Sequence, residues 1–275
     1  MLMDFHLHTL VSDGELDPVS LLERAHHHRI SHLAITDHDS LGAYGWHDGA
    51  VFTEAARLGL QLTPGIEIDA DWGGVEVHLL GFGLALGAPS LNSHLGRVRQ
   101  ARFERARREI EVVNQLLGAG SVTEQDVFAP GRETLMKPHF IHPLLRRNRF
   151  ASYEQANAWY RQNVKTDVRV PKPALGEAIE LVHGAGGWTA LAHPAYYERD
   201  GKPIRGRLPE LRELGLDGVE LDYPYHACSP HQFTREAEAA FIGELRREAL
   251  GLGLRASRGS DCHTAQDFAK VYGSA

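Results

Sequence analysis

Cysteine is almost missing from this chain: Cys228 and Cys262 are the only two in 275 residues. Two thiols cannot build a disulfide framework, and without C-x-x-C spacing they do not form a zinc ribbon, so a reducing cytosol and a cytoplasmic location are expected. No apolar run approaches the length of a membrane span, and Met1-Leu2-Met3-Asp4 has no basic n-region, so neither insertion nor export is expected. Basic charge is also short. With 29 Lys+Arg against 36 Asp+Glu the formal net charge is -7, which excludes wholesale coating of nucleic acid. What remains, 43% hydrophobic residues in 275, suffices for one large α/β barrel or two modest domains that fold without a protein partner.

Histidine is plentiful, at 17 residues, and its placement carries the argument. In the opening stretch Phe5-His6-Leu7-His8-Thr9, alternation along an extended strand points His6 and His8 the same way, and Ser12-Asp13-Gly14 turns Asp13 back toward them. Asp17-Pro18 then reads as an N-cap and first helical residue, with Leu21, Leu22 and Ala25 giving an apolar face through Ile30. The His26-His27-His28 run on that helix points in three directions and reads as exposed side chains. A buried strand, His32 to Thr36, ends in Asp37-His38-Asp39. After a helix from Val51 to Gly59, the strand Gln61 to Ile68 carries Glu67 and Asp69. Asp71-Trp72-Gly73-Gly74 turns into Val75 to Phe82, whose alternation sets His78 opposite Val75, Val77 and Leu79.

Between about Asn92 and Lys165 the βα rhythm gives way to helices: Leu95 to Leu117, Thr123 to Phe128, Lys137 to Asn148 and Tyr153 to Asn163. This segment holds 13 Lys+Arg against 7 Asp+Glu, leaving 16 against 29 for the remainder, so a basic helical insert (92–165) is expected over an acidic body (1–91 and 166–275). Of the six arginines from Arg97 to Arg108, most read as a solvated face paired with Glu104, Glu109 and Glu111, and a few as facing substrate. The βα pattern resumes with a helix from Ala174 to His183, the strand Trp188 to Ala192 ending in His193-Pro194, a helix from Leu208 to Leu214 and the strand Gly218 to Leu221. A helix from Ser229 to Leu250 leads to the strand Leu254 to Ser257, closed by Gly259-Ser260-Asp261-Cys262-His263. About seven parallel strands alternating with helices predict an α/β barrel. Gln266 to Ala275 starts one more helix.

Barrel enzymes place their sites at the C-terminal strand ends, and here those ends carry His6, His8, Asp13, Asp37, His38, Glu67, His78, His193, Asp261 and His263. Left unpaired, buried charges at so many strand ends would cost several kcal/mol each, and coordination removes that cost. Imidazole and carboxylate ligands without thiolate suit Mn²⁺, Fe²⁺ or Zn²⁺, and their number exceeds what one ion uses, so two or three divalent ions are expected.

In order, these residues spell H-x-H-T with S-D-G, T-D-H-D, G-x-E, a downstream histidine, A-H-P and a final G-S-D-x-H, and over the whole chain this resembles the PHP (polymerase and histidinol phosphatase) family of metal-dependent phosphoesterases. The resemblance implies a distorted (β/α)7 barrel holding a trinuclear centre, Mn²⁺ foremost, with Glu67, His193 and Asp261 among its catalytic residues. It implies His6, His8, Glu67 and Asp261 for a first ion, Glu67, His78 and His193 for a second, and Asp13, His38 and His263 for a third. Many relatives have histidine where this chain has Asp13, which makes the third site harder in ligand character. Asp37 is expected to orient a ligand from behind. The insert resembles that of members acting on nucleotides and small RNA ends, whose basic-Pro-His motif is here Lys137-Pro138-His139, implying that Lys137 and His139 bind substrate.

The chemistry implied is metal-assisted hydrolysis of a phosphomonoester, with His139 or a water as the proton donor to the leaving oxygen. Adenosine 3′,5′-bisphosphate, losing its 3′-phosphate to give AMP, is the first expectation for substrate. Alternatives are 5′-to-3′ exonuclease action on short RNA and histidinol-phosphate hydrolysis. From other classes come a nucleotide-binding module with structural metals and amide hydrolysis by an amidohydrolase-like barrel.

Overall fold

A computed structural model describes residues 1–199 and 201–273. Seven strands form one sheet in chain order: β1 (Leu2–Asp4), β2 (Ile30–Ile35), β3 (Gln61–Trp72), β4 (Val75–Phe82), β5 (Trp188–Leu191), β6 (Gly218–Asp222) and β7 (Arg255–Arg258). The expectation of parallel strands holds for β1 through β3 and for β5 through β7 but fails at β4, which runs antiparallel to both β3 and β5. The reason is local. Gly73 and Gly74, at φ 62° and 84°, reverse the chain within two residues, and so short a link joins only antiparallel neighbours, since a parallel pair needs a crossover of about a dozen residues. The same hairpin lengthens β3 to Trp72, so Glu67 lies inside a strand rather than at its end.

The two edges of the sheet meet. Phe5 N donates to Arg258 O at 3.0 Å, His8 N to Cys262 O at 3.1 Å and Asp261 N to His6 O at 2.8 Å, so residues near the two ends of the chain become neighbours. Helix Pro18–His27 starts at Asp17, whose carboxylate accepts from Val19 N and Ser20 N, and it lays Leu21, Leu22 and Ala25 into a core shared with Leu33, Ile35 and Phe268. A larger core gathers Ile66, Ile68, Leu79, Leu191 and Val219 beneath helices Leu175–Gly184 and Arg235–Gly251. Each such buried aliphatic side chain contributes roughly 1.5–3 kcal/mol. The segment expected as an insert carries helices Pro89–Leu117, which starts before residue 92, Glu124–Val127, Pro138–Arg146 and Tyr153–Asn163, and these share an apolar cluster around Val113, Phe140, Leu144 and Tyr160. No helix among the described residues is long and apolar enough to cross a membrane.

Three further expectations need correction. The first helix stops before Ile30, because Arg29 at φ 61° leaves the helical region and Ile30 opens β2. His28 is buried, stacked on Phe268 at 5.6 Å, where burial holds its pKa below the ordinary histidine value; His26 and His27 are exposed. The helix expected over Ser229 to Leu250 starts only at Arg235 and runs to Gly251, since Pro230 lacks an N–H and disfavours helix in the residue before it; a separate short helix, Tyr225–Cys228, precedes the expected range. A short helix, Pro194–Arg199, follows His193 unforeseen. The closing helix is Ala265–Tyr272, capped by Thr264 and Asp267; Ser274 and Ala275 lie outside the described residues.

Candidate metal centre

β1 and the turn after it deliver His6, His8 and Asp13; β2 delivers His38, β3 Glu67, β4 His78, β5 His193, and β7 Asp261 and His263. Glu67, fully buried, is the hub. Its Oε2 lies 3.3 Å from His6 Nε2, 3.2 Å from His8 Nε2 and 3.3 Å from His38 Nε2, while Oε1 lies 2.9 Å from His78 Nδ1 and 3.3 Å from His193 Nε2. Asp261 Oδ1 lies 3.4 Å from His6 Nε2 and 3.1 Å from His8 Nε2. Asp13 Oδ1 faces His263 Nε2 at 3.3 Å, and the His263 ring stacks on His8 with centroids 4.2 Å apart. Ligand atoms within 4.8 Å of one another fall into four sets: His8, Asp13, His38 and His263; His6, Glu67 and His193; His6, His8 and Asp261; His38, Glu67 and His78. The structure thus brings together all nine ligand-type residues, with His8 also among the set expected to hold the third ion.

The donor set fits divalent metal. His6 Nε2, His8 Nε2, Glu67 Oε2 and Asp13 Oδ1 are buried without a hydrogen-bond partner among the described residues, although they converge on shared points. Orphaned polar atoms of this kind are costly unless something else binds them. Burial favours the neutral form of Glu67, but His38, His6 and His78 outweigh it and hold the carboxyl well below its usual range. Burial likewise opposes protonation of His38, yet Glu67, Asp13 and Asp69 raise it to about 9. His263 is raised to about 10 against burial by Asp13 and Asp261. Carboxylates and imidazoles sharing one buried space demand cations, and mixed N/O ligands without thiolate suit Mn²⁺, Fe²⁺ or Zn²⁺.

Several groups that aim these ligands escaped the sequence reading. Glu220 on β6, 1% exposed, takes His6 Nδ1 at 3.0 Å and accepts from His193 N at 2.7 Å. Asp69 takes His38 Nδ1 at 3.1 Å. A carboxylate on the far imidazole nitrogen fixes the tautomer and turns the other nitrogen toward the ion. The one legible signal was a carboxylate inside a buried strand. Asp37 clamps the turn between His8 and Asp13, accepting from Thr9 N at 2.8 Å, Thr9 Oγ1 at 2.6 Å and Ser12 Oγ at 2.6 Å. It touches no imidazole directly, but the Ser12 Oγ it holds lies 3.5 Å from His8 Nδ1, so it steadies that ligand through the serine. Gly259 is required by proximity: a Cβ there would lie 2.1 Å from His6 Cβ and 2.6 Å from Glu220 Oε1. His193, Asp261 and Asp39 hold φ of 29°, 55° and 46°, conformations costing on the order of 1–3 kcal/mol each and typical of functional sites.

Beside the cluster, a cavity of ≈ 580 Å³ runs from Asp69 and Glu76 to the insert. Lys137, Arg161 and Arg169 line it, and none of them has a carboxylate within ion-pair distance among the described residues. Burial lowers the Lys137 pKa. Tyr160, buried beside Glu109, also lines it. His139 does not line the cavity: it is 5% exposed, its Nδ1 accepts from Met136 N at 3.0 Å, and its ring reaches the Ser12 backbone. Burial and Arg132 lower its pKa to about 3. Among the arginines of the long insert helix, Arg105 and Arg108 pair along the helix with Glu109 and Glu111, whereas Arg102 turns inward.

Residues 4–80 match the family model described as PHP domain. The chain is 29% identical over 264 residues to a 5′-3′ exoribonuclease of Haemophilus influenzae, covering 94% of this chain and 89% of that one. It is 28% identical over 263 residues to a 3′,5′-nucleoside bisphosphate phosphatase of Chromobacterium violaceum, covering 95% and 87%. Identity is 30% over 242 residues, covering 84% and 86%, to a phosphoribosyl 1,2-cyclic phosphate 1,2-diphosphodiesterase of Eggerthella lenta. Among solved structures, a candidate metal-dependent phosphoesterase from Bifidobacterium adolescentis superposes with a TM-score of 0.76 at 26% identity, covering 95% of this chain and 87% of that one.

Proposed function

This chain belongs to the PHP family of metal-dependent phosphoesterases, and from that premise we propose that it hydrolyses a nucleotide phosphomonoester, removing the 3′-phosphate of nucleoside 3′,5′-bisphosphates. Adenosine 3′,5′-bisphosphate would give AMP and phosphate. The observation that carries this reading is one juxtaposition: Asp69, which takes His38 of the imidazole and carboxylate cluster, also lines a cavity whose Lys137, Arg161 and Arg169 have no carboxylate at ion-pair distance among the described residues. A substrate with two separated phosphates would satisfy both places at once. We read the sheet, joined from β7 back to β1, as a distorted (β/α)7 barrel, and residues 92–165 as its cap.

His6, His8, Glu67 and Asp261 would hold one ion, Glu67, His78 and His193 a second, and Asp13, His38 and His263 a third, with Mn²⁺ the favoured metal. Bound there, divalent ions supply Lewis-acid polarisation of the phosphoryl oxygens and bring the pKa of water toward neutrality. The chain's own groups do the rest. Glu67, His193 and Asp261 would serve the reaction through the ions they hold, while Glu220 and Asp69 keep Nε2 of His6 and His38 free to bind. The cavity cations fix the remote phosphate, Lys137 as a point charge and the arginines with paired donors. With Nδ1 accepting from Met136 N and its ring against the Ser12 backbone, His139 holds the Ser12 turn, which leaves a water as the favoured proton donor to the leaving oxygen.

A second reading, hydrolysis of the 5′-terminal phosphodiester of short RNA, draws support from the Haemophilus influenzae relative. Parallel incubation with adenosine 3′,5′-bisphosphate and with a 5′-phosphorylated dinucleotide separates the two. Faster phosphate release from the bisphosphate is expected. Faster dinucleotide cleavage would replace the phosphatase reading with the exonuclease one.

A further inference from the structure

We propose that the helical insert completes the metal centre as well as covering it, and that Arg102 is the positioning residue through which it does so. This rests on reading the imidazole cluster as a metal site. Arg102 Nη2 donates to Asp69 Oδ2 at 2.8 Å and to Asp39 Oδ2 at 2.6 Å, and its side chain is only 11% exposed. Asp69 Oδ1 takes His38 Nδ1 at 3.1 Å, and His38 Nε2 faces Glu67 Oε2 at 3.3 Å. Guanidinium, carboxylate and imidazole thus form one chain of contacts from the insert to the hub. The insert grips the same point twice more: Thr134 Oγ1 donates to His38 O at 2.5 Å, and Arg102 Nη1 contacts Met136 Sδ at 3.1 Å.

The physical reason for the arginine lies in the two aspartates. Asp39 and Asp69 are 4% and 7% exposed, and Asp39 Oδ1 accepts from Asp69 N at 3.2 Å, so the two carboxyl groups are held side by side. Without a cation between them the two carboxylates repel, and nothing holds Asp69 against His38. If Asp69 turns away, His38 Nδ1 loses its acceptor. The imidazole can then carry its proton on Nε2, the nitrogen that the ion needs. Loss of Arg102 would therefore reach the ion that His38, Asp13 and His263 would hold through two intervening groups, while the His6 imidazole and the His193 backbone N–H keep Glu220 as their partner.

The test uses the full chain loaded with Mn²⁺ and compares wild type, R102M and R102K by metal content after dialysis and by Mn²⁺ titration followed by electron paramagnetic resonance. R102M is expected to weaken one ion roughly 10–100-fold while the others bind as in wild type, with KM for the bisphosphate unchanged at saturating Mn²⁺. R102K, which keeps a cation within reach of the aspartates, is expected to recover most of that affinity. A wild-type Mn²⁺ titration for R102M overturns the proposal, and a raised KM alone would make Arg102 a substrate contact. Should R102M fail to fold, D69N tests the same chain of contacts; one weakened ion supports the proposal and wild-type binding overturns it. Wild-type protein that binds no Mn²⁺ would remove the metal reading itself, a different failure.

Discussion

Glu220 offers the sharpest test of how ligand aim is built, because one carboxylate serves two ligands from behind. Its oxygens take His6 Nδ1 at 3.0 Å and His193 N at 2.7 Å, in a position 1% exposed. Glu220→Gln keeps the volume but replaces one acceptor with an NH₂ donor, so one of the two N–H groups must face another donor. An unsatisfied buried polar group costs about 1–3 kcal/mol. For a chain of this size that lowers Tm by roughly 2–4 °C per kcal/mol. If the amide NH₂ meets His6, the imidazole must accept at Nδ1 and carry its proton on Nε2, which blocks the ligand atom. The expected outcome is a rise of roughly 10–100-fold in the Mn²⁺ concentration giving half-maximal phosphate release, with kcat recovering at saturating metal. Assays are phosphate release across a Mn²⁺ series and a thermal melt of the same preparation. A variant with the wild-type Mn²⁺ response and an unchanged Tm would refute the reasoning, since Glu220 would then be aiming nothing.

Three further outcomes follow from the same geometry. Chelation should abolish phosphate release and added Mn²⁺ should restore it, whereas full activity of a stripped, metal-free preparation would sink the metal mechanism. Gly259→Ala places a Cβ 2.1 Å from His6 Cβ, so it should destabilise the fold by about 1–3 kcal/mol and lower metal content, as measured by melting and elemental analysis. In the insert, burial opposes ionisation of Asp126, but hydrogen bonds from Thr123 and the Arg147 guanidinium hold its carboxyl below the ordinary value. Because the folded-state pKa is depressed, its contribution is present above about pH 4 and lost as pH falls through the folded value. Asp126→Asn should therefore cost about 1 kcal/mol at neutral pH in urea unfolding, and the gap should close in acid; a gap independent of pH would argue against it.

Much of the site was legible from local periodicity. His6 and His8 share a side by the period of two of extended backbone, although β1 itself stops at Asp4, and a polar group just past a buried strand marks His38, His193, Asp261 and His263 wherever the strands then go; Asp13 was legible only as a turn residue. The helix start at Asp17-Pro18 and the basic helical run were equally visible, because caps, prolines and charge runs act within a few residues. The antiparallel turn at Gly73-Gly74 lay in plain sight too, and only the assumption of unbroken βα repeats hid it.

What the tertiary structure alone decided is which groups stand behind which. Glu220 and Asp69 look like any carboxylate on a strand until closure of the sheet sets one against His6 and the other against His38, 214 and 31 residues away in the chain. Arg102 looks like its five neighbours on a solvated helix until its two aspartates are found beneath it. His28 reads as exposed until the last helix covers it. Periodicity assigns a side chain to a face, but a partner from another strand or helix exists only once the chain has folded, and the cost of burying a charge is met only by that partner.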